Sequence, residues 1–255
     1  MRGVPRRSAK GFSIALIALL FALCGFERLL ASHPTPGHRG PSRDSASSLG
    51  EIDRGPRGER KIALTFDAGA DADCFEDLIR ALESAHVHST FFITGHWAQQ
   101  NRDCAQAITT HRHEVGNHTW NHLDLTKQPN AIVRAEILRA DATLMELTGQ
   151  SPRPRWRAPF GARDTRVLQI ASKLGYRSIY WTIDSLDSVG PPKTSQQLVE
   201  RLTSKSDADL DGAIILLHVG VRSTADALPA VIANFQGRGF RLVTVSDLLR
   251  GEARF

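Results

Sequence analysis

From residue 61 onward, short apolar or β-branched runs alternate with longer segments of helical period. The short runs predict strands at 61–66, 89–94, 114–117, 154–158, 177–183, 213–217 and 240–245, since β-branched and aromatic residues suit a pleated, buried surface. Between them the spacing predicts helices at about 74–86, 97–111, 130–148, 163–174, 195–204 and 224–236. The clearest is 130–148, where Val133, Ile137, Ala140, Leu144 and Leu147 recur at three- and four-residue steps and Gly149 supplies a stop. Repeated strand-then-helix units imply a parallel sheet covered by helices, either an open doubly wound sheet or a barrel.

The polar positions discriminate between the two. Asp67 follows the first strand, His118 the third and Asp184 the fifth; Arg157 ends the fourth, and His218 follows the sixth. Ionisable residues at the carboxyl ends of different strands meet around one cavity if the sheet closes, which is where barrels carry chemistry. An open sheet would spread them along an edge. The expected fold is therefore α/β, a distorted (β/α)7 barrel with parallel strands and surrounding helices.

Length and composition fit this picture. The 255 residues, 41% hydrophobic and 23% charged, supply one single-core domain of about 200 residues plus a tail. The net charge of +5 suggests a nucleic-acid binder until it is divided along the chain. Residues 1–60 hold ten Lys/Arg against five Asp/Glu, whereas residues 61–255 hold twenty-two of each. The main domain thus lacks the basic footprint that nucleic acid demands.

Arg2, Arg6, Arg7 and Lys10 precede an uncharged apolar run from Phe12 to Phe26, the order of a secretory signal. Residues 1–32 are expected to be a signal peptide or a membrane anchor, placing the chain outside the cytoplasm. Cys24 reads as a plain apolar cysteine, because Leu23 before it is larger than a lipoprotein acceptor site wants. Residues 33–58, rich in Pro, Gly, Ser and Arg, read as a disordered linker. The folded domain is then expected over 59–255. Export permits a disulfide: Cys74 and Cys104, if paired, would close a loop of about 30 residues worth roughly 3–4 kcal/mol, the alternative being two free thiols.

Candidate chemistry gathers at the strand ends. Asn117-His118-Thr119-Trp120-Asn121-His122 places two imidazoles four residues apart, which a helical turn would put on one face for a shared divalent metal. Asp67 lies in Thr65-Phe66-Asp67-Ala68-Gly69, an acid at a strand end before a glycine turn, and His218 ends the run Ile214-Ile215-Leu216-Leu217. Taken singly, each has an ordinary structural use, as a metal-free surface pair, a helix cap or a core histidine.

Taken together, these segments resemble the polysaccharide deacetylases of carbohydrate esterase family 4, which share the NodB homology domain. The resemblance covers roughly residues 60–250 and rests on five ordered motifs. The family's Thr-Phe-Asp-Asp-Gly appears as Thr65-Phe66-Asp67-Ala68-Gly69, and its His-(Ser/Thr)-x-x-His as His118-Thr119-Trp120-Asn121-His122. Arg-x-Pro-(Phe/Tyr) appears as Arg157-Ala158-Pro159-Phe160 and Leu-x-His as Leu216-Leu217-His218. Asp-x-x-Asp-Trp appears as Asp184-Ser185-Leu186-Asp187, with Ser188 in the tryptophan position.

The resemblance implies metal-assisted hydrolysis of an acetyl group, N-acetyl in the first instance, from an N-acetylglucosamine-containing polysaccharide such as peptidoglycan, exopolysaccharide or chitin. By motif position Asp67 is the general base, His118 and His122 are metal ligands, and His218 protonates the leaving amine. Arg157 and Asp187 are expected as a pair that tunes Asp67. The backbone N–H of Phe160 is expected to hold the oxyanion, and Trp181 and Leu216 to line the substrate pocket. The implied cofactor is a divalent ion, zinc first, with cobalt, nickel or manganese as alternatives; the implied partner is the polysaccharide, acted on by a monomer.

Two positions depart from the pattern. The family's third protein ligand is the second Asp of the first motif, and alanine at position 68 binds no metal. Asp71 in the same loop is a substitute candidate, and Asp67 is another. Ser188 removes an indole wall from the usual cleft. An alternative therefore stands beside the enzyme: a non-catalytic glycan-binding domain that has lost its metal site.

Overall fold

A computed structural model describes residues 50–250. The signal or anchor expected at 1–32 and most of the linker lie outside the described residues. Within them no helix is long and apolar enough to cross a membrane.

The first strand, β1 (Lys61–Ala68), is followed by α1 (Phe75–Ser84), β2 (Thr90–Ile93), α2 (Gly95–Gln100), α3 (Arg102–Thr110) and β3 (Glu114–Asn117). The chain continues through α4 (Asn130–Thr148), β4 (Arg155–Trp156), α5 (Thr165–Lys173), β5 (Arg177–Ser178) and β6 (Ile183–Asp184). It ends with α6 (Ser195–Thr203), α7 (Asp207–Leu210), β7 (Ala213–His218), α8 (Arg222–Gly237), β8 (Arg241–Leu242) and α9 (Val245–Leu248). The strands pair in parallel in the order β5-β4-β3-β2-β1-β7-β6, with β8 added on β1. This is the expected (β/α)7 architecture, drawn as a curled half-barrel.

The residue alternation of the strands decides what faces the interior. On β1, Ile62, Leu64 and Phe66 join the large core beneath the helices, together with Phe91, Ile93, Ala213, Ile215 and Leu217. Ala63, Phe92 and Ile214 belong to a second cluster on the other face, with Ile52 and Ile179. A period of two then carries Thr65 and Asp67, and likewise Leu216 and His218, to the concave side. Asp67 and His218 are direct register partners across β1 and β7, so the acid and the histidine sit at one level of the sheet.

Three expectations change. The segment 177–183 is two strands, because the N-terminal segment inserts between them: the Ile52 N–H donates to Ser178 O (2.8 Å), Tyr180 N–H to Ile52 O (2.7 Å), and Thr182 N–H to Ile214 O (2.9 Å). For the same reason the linker boundary at 58 is too late. Ile52 bridges to Ile179, Arg54 to Ala213, and Glu51 pairs with Arg163. Gly212 (φ 76°) permits that crossing, since a Cβ there would lie 2.5 Å from Gly55 O. The helix expected at 97–111 breaks at Asn101, whose amide side chain and backbone N–H both donate to Trp97 O (3.0 and 2.8 Å) and close the first helix. Helix α4 matches its expected span, ending on Gly149 at φ 67°.

Cys74 and Cys104 are free, half-buried thiols packed against the main core. The disulfide is absent. Burial pushes both thiols' pKa up, which keeps them protonated and unreactive.

Candidate active site

A cavity of about 430 Å³ opens at the carboxyl ends of the strands, lined by Asp67, Asp71, His118, His122, Phe160, Trp181, Ser188, Leu216 and His218 among others. All the expected site residues except Arg157 and Asp187 line it, and those two lie directly behind it.

Arg157 is fully buried, and its guanidinium is used on every side. Nη1 donates to Asp67 Oδ1 (2.7 Å) and Thr65 Oγ1 (2.9 Å), Nε to Ile179 O (3.0 Å) and Nη2 to Tyr180 O (3.2 Å), while the Phe92 ring lies 4.1 Å away. Thr65 in turn donates its hydroxyl to Ile215 O (2.7 Å). Burial alone would raise the Asp67 pKa, but the charge and the hydrogen bond of Arg157, with the nearby His218 adding to them, outweigh it and hold the carboxyl below the usual range. Asp67 is thus ionised, with Oδ1 engaged and Oδ2 3.6 Å from His118 Nε2.

His118 and His122 do meet, although not on a helical turn. The segment after β3 is irregular, and Thr119 (φ 69°) and His122 (φ 59°) are both left-handed, a strained backbone that folds the second imidazole back onto the first. Buried Glu136 on α4 secures the loop. Its carboxylate accepts from the backbone N–H of Trp120 (3.1 Å) and Asn121 (2.7 Å) and from Asn121 Nδ2 (2.8 Å), and Asn117 Oδ1 accepts from Thr119 N–H (2.8 Å). Glu136 is a site-building residue that the sequence concealed, because it reads as one more polar position on a long helix.

His118 Nδ1 lies 2.9 Å from Arg157 O, so this nitrogen carries the hydrogen and Nε2 presents a lone pair. That lone pair faces His122 Nε2 at 3.1 Å. Burial, and for His122 then the neighbouring His118, keeps both rings neutral; the His122 pKa is pushed down to about 4. Two neutral imidazole nitrogens at this separation suit adjacent positions on one divalent cation, whose bonds to imidazole run about 2.0–2.1 Å. The residues fit a metal as a two-imidazole chelate. They do not supply the family's third ligand: Ala68 is buried and without a donor atom, Asp71 is exposed, and among the described residues no three His, Cys, Asp or Glu side chains are placed to hold an ion.

His218 has its own partner, and here the expected pairing of Arg157 with Asp187 is corrected. Asp187 binds His218: Oδ1 lies 2.7 Å from Nδ1, and Oδ2 accepts from the His218 backbone N–H (2.8 Å) and Thr224 Oγ1 (2.7 Å). Burial disfavours the imidazolium, yet the Asp187 hydrogen bond and charge, helped by Asp67 and Asp184, outweigh it and raise the His218 pKa. Arg157 belongs to Asp67 alone, because the β4 end faces β1 across the interior whereas Asp187 follows β6 beside β7. Asp67 and His218 therefore each have a private counter-ion.

The remaining wall is apolar. Leu216 is buried, Trp181 stacks on Tyr180 with centroids 3.8 Å apart, and the Phe160 ring stands edge-on to His122 at 4.4 Å. Phe160 is left-handed (φ 58°) and 70% exposed at the cavity mouth. Gly220 (φ 87°) closes the opposite side, where a Cβ would lie 2.8 Å from Asp71 O.

Comparison with known proteins places the chain in a family. Residues 54–179 match the sequence model of the polysaccharide deacetylase family. A chitooligosaccharide deacetylase from Bradyrhizobium sp. (strain ANU 289) is 32% identical over 206 residues, covering 75% of this chain and 91% of that one. The peptidoglycan-N-acetylmuramic acid deacetylase PdaA of Bacillus subtilis is 27% identical over 192 residues, covering 75% of this chain and 72% of that one. Its structure, a family 4 carbohydrate esterase, superposes with a TM-score of 0.75 at 25% identity over 83% of this chain and 92% of that one. A family 4 pseudoenzyme from Bacillus anthracis is also similar, with a TM-score of 0.72 and 26% identity over 78% of this chain and 68% of that one. With the fold and the relatives in accord, the chain belongs to the polysaccharide deacetylases of carbohydrate esterase family 4.

Proposed function

We propose that this polysaccharide deacetylase is an exported, metal-dependent enzyme that removes N-acetyl groups from amino sugars of a cell-envelope glycan such as peptidoglycan. The observation that carries the reading is the pair of separate acid–base groups facing one cavity, Asp67 on Arg157 and His218 on Asp187. A structural domain has no need of two buried ion pairs arranged around a void, since buried charges are costly to assemble.

The chemistry follows from the protonation states. Oδ2 of Asp67 takes the proton of the attacking water, while Arg157 holds Oδ1 and fixes the carboxylate plane. A carboxylate with a depressed pKa is a weak base, so the water must be acidified. His118 and His122 would hold a divalent ion, which would supply that acidification and polarise the acetyl carbonyl. His218, whose pKa the hydrogen bond and charge of Asp187 raise, gives a proton from Nε2 to the departing amine, without which an amide nitrogen does not leave. Leu216 and Trp181 provide the apolar wall for the acetyl methyl and the sugar face, and the Phe160 backbone N–H is the candidate oxyanion donor.

The test is acetate release from N-acetylglucosamine oligomers and from peptidoglycan, with and without chelator, by the wild-type chain and by Asp67→Asn and His218→Ala. Loss of release in both variants and in chelator supports the reading; full activity of Asp67→Asn ends it. Ala68, together with the pseudoenzyme among the structural relatives, favours the second reading, a glycan-binding domain without turnover. Glycan binding by a chain that releases no acetate at any metal concentration establishes that one instead.

A further inference from the structure

Where the family pattern has tryptophan, Ser188 brings a hydroxyl to the cavity wall. Its Oγ lies 3.2 Å from Nε2 of His218. The same ring is tied through Nδ1 to Asp187 Oδ1 at 2.7 Å, and Asp187 is fixed in turn by Thr224 and by the His218 backbone N–H. When the ring is unprotonated, Nδ1 carries the hydrogen shared with Asp187, and Nε2 is left as the acceptor for the serine O–H. A hydroxyl, an imidazole and a buried carboxylate in series is the arrangement that activates a serine nucleophile.

The turn that carries the serine adds a second observation. Leu186, two residues earlier, is left-handed (φ 57°), a conformation costly for a branched side chain. It is held by its N–H donating to Asp184 Oδ1 (2.7 Å) and by the Val189 N–H donating to Leu186 O (3.3 Å). The strain sets Asp187 inward against His218 and Ser188 outward, exposed at the same ring's other nitrogen.

We propose that Ser188, His218 and Asp187 form a catalytic triad that hydrolyses O-acetyl esters through an acetyl-serine intermediate. This goes beyond the amide reading. It shares His218 and Asp187 with that reading but uses neither Asp67 nor the His118–His122 pair. In the first step the Ser188 proton passes to His218 Nε2 as Oγ bonds to the acetyl carbon. The ester C–O bond breaks, and the departing alkoxide takes that proton and leaves as the alcohol. In the second step water gives its proton to Nε2 and attacks the acetyl-serine. The Oγ–acyl bond breaks, Oγ recovers the proton, and acetate departs. An ester suits this route because its alcohol leaves far more readily than an amine.

The experiment uses the full chain with para-nitrophenyl acetate in excess chelator, following nitrophenolate release and then acid-quenching for peptide mass analysis. The expected result is chelator-resistant turnover, an acetyl group on the peptide containing Ser188, and a fall of at least about hundredfold in Ser188→Ala. Thermal unfolding of that variant should match wild type, because the side chain is exposed. Turnover in Ser188→Ala equal to wild type, or acetyl recovered only on a lysine or histidine, overturns the triad. Absence of chelator-resistant turnover in the wild-type chain also overturns it. That failure leaves the amide reading standing, since N-acetyl release is measured separately and rests on Asp67.

Discussion

Replacing Arg157 by methionine tests how the site is held together. Arg157 and Asp67 are both buried, and the arginine occupies four acceptors: Asp67, Thr65, Ile179 and Tyr180. Methionine keeps much of the volume, so the cavity cost is small, but it strands a carboxylate in a low-dielectric interior. Breaking one side of a buried pair costs about 3–5 kcal/mol, a large part of the 5–15 kcal/mol that typically separates folded from unfolded. The pH dependence carries a sharper signature. In the wild type the folded Asp67 pKa is lowered, so its contribution is present above the unfolded pKa and is lost as pH falls through the folded value. Without Arg157, desolvation dominates and raises the pKa, so the variant recovers stability as Asp67 takes up a proton. Urea unfolding at pH 7.5 and pH 5 should show a deficit of about 3–5 kcal/mol at the higher pH and a smaller one at the lower, with similar m-values. A deficit under about 1 kcal/mol at pH 7.5, or one that grows as pH falls, refutes the argument, because the pair would then resemble an exposed one.

Further expectations concern the other groups. In Asp187→Asn, His218 loses the partner that raises its pKa. The alkaline limb of the kcat/KM profile for amide hydrolysis should move to lower pH, and an unmoved limb removes His218 from the acid role. Ala68→Asp restores a carboxylate at the family's third-ligand position, so zinc affinity by calorimetry should rise by at least about tenfold, and the melting temperature should become zinc-dependent. No gain in affinity would mean that His118 and His122 do not share an ion. His113 is buried; desolvation, then the charges of His88 and His111, push its pKa down to about 4, and its Nε2 has no partner among the described residues. Because the folded pKa lies below the unfolded one, its contribution is intact above pH 6.5 and shrinks toward pH 4 by about 3 kcal/mol. His113→Asn, whose amide oxygen can still accept from the Ser89 N–H as Nδ1 does, should flatten the stability profile over that range, and equal slopes in the two proteins would refute the assignment.

What the sequence determined by itself is the repeating strand–helix order, the span of α4, and the placement of Asp67, His118, Arg157 and His218 at strand ends. These are local properties: a period of two or 3.6 and a polar residue closing an apolar run are fixed by near neighbours along the chain. The five motifs added the reaction class, because their order survives even where single positions differ. Tertiary structure alone decided who pairs with whom. Asp187 was expected beside Arg157 but binds His218, because strand order sets β6 against β7. The His118–His122 contact arises from two left-handed residues held by Glu136, not from a helical turn, and backbone strain of that kind is stabilised by a distant helix. The docking of Glu51, Ile52 and Arg54 at the split between β5 and β6 was equally hidden in a Pro- and Gly-rich stretch, since its partners lie more than a hundred residues away. The Ser188–His218 contact is likewise a product of packing, for the two residues lie 30 positions apart in the chain and follow different strands. Sequence pattern encodes which face a side chain takes, whereas its partner is chosen by the strand that curls round to meet it.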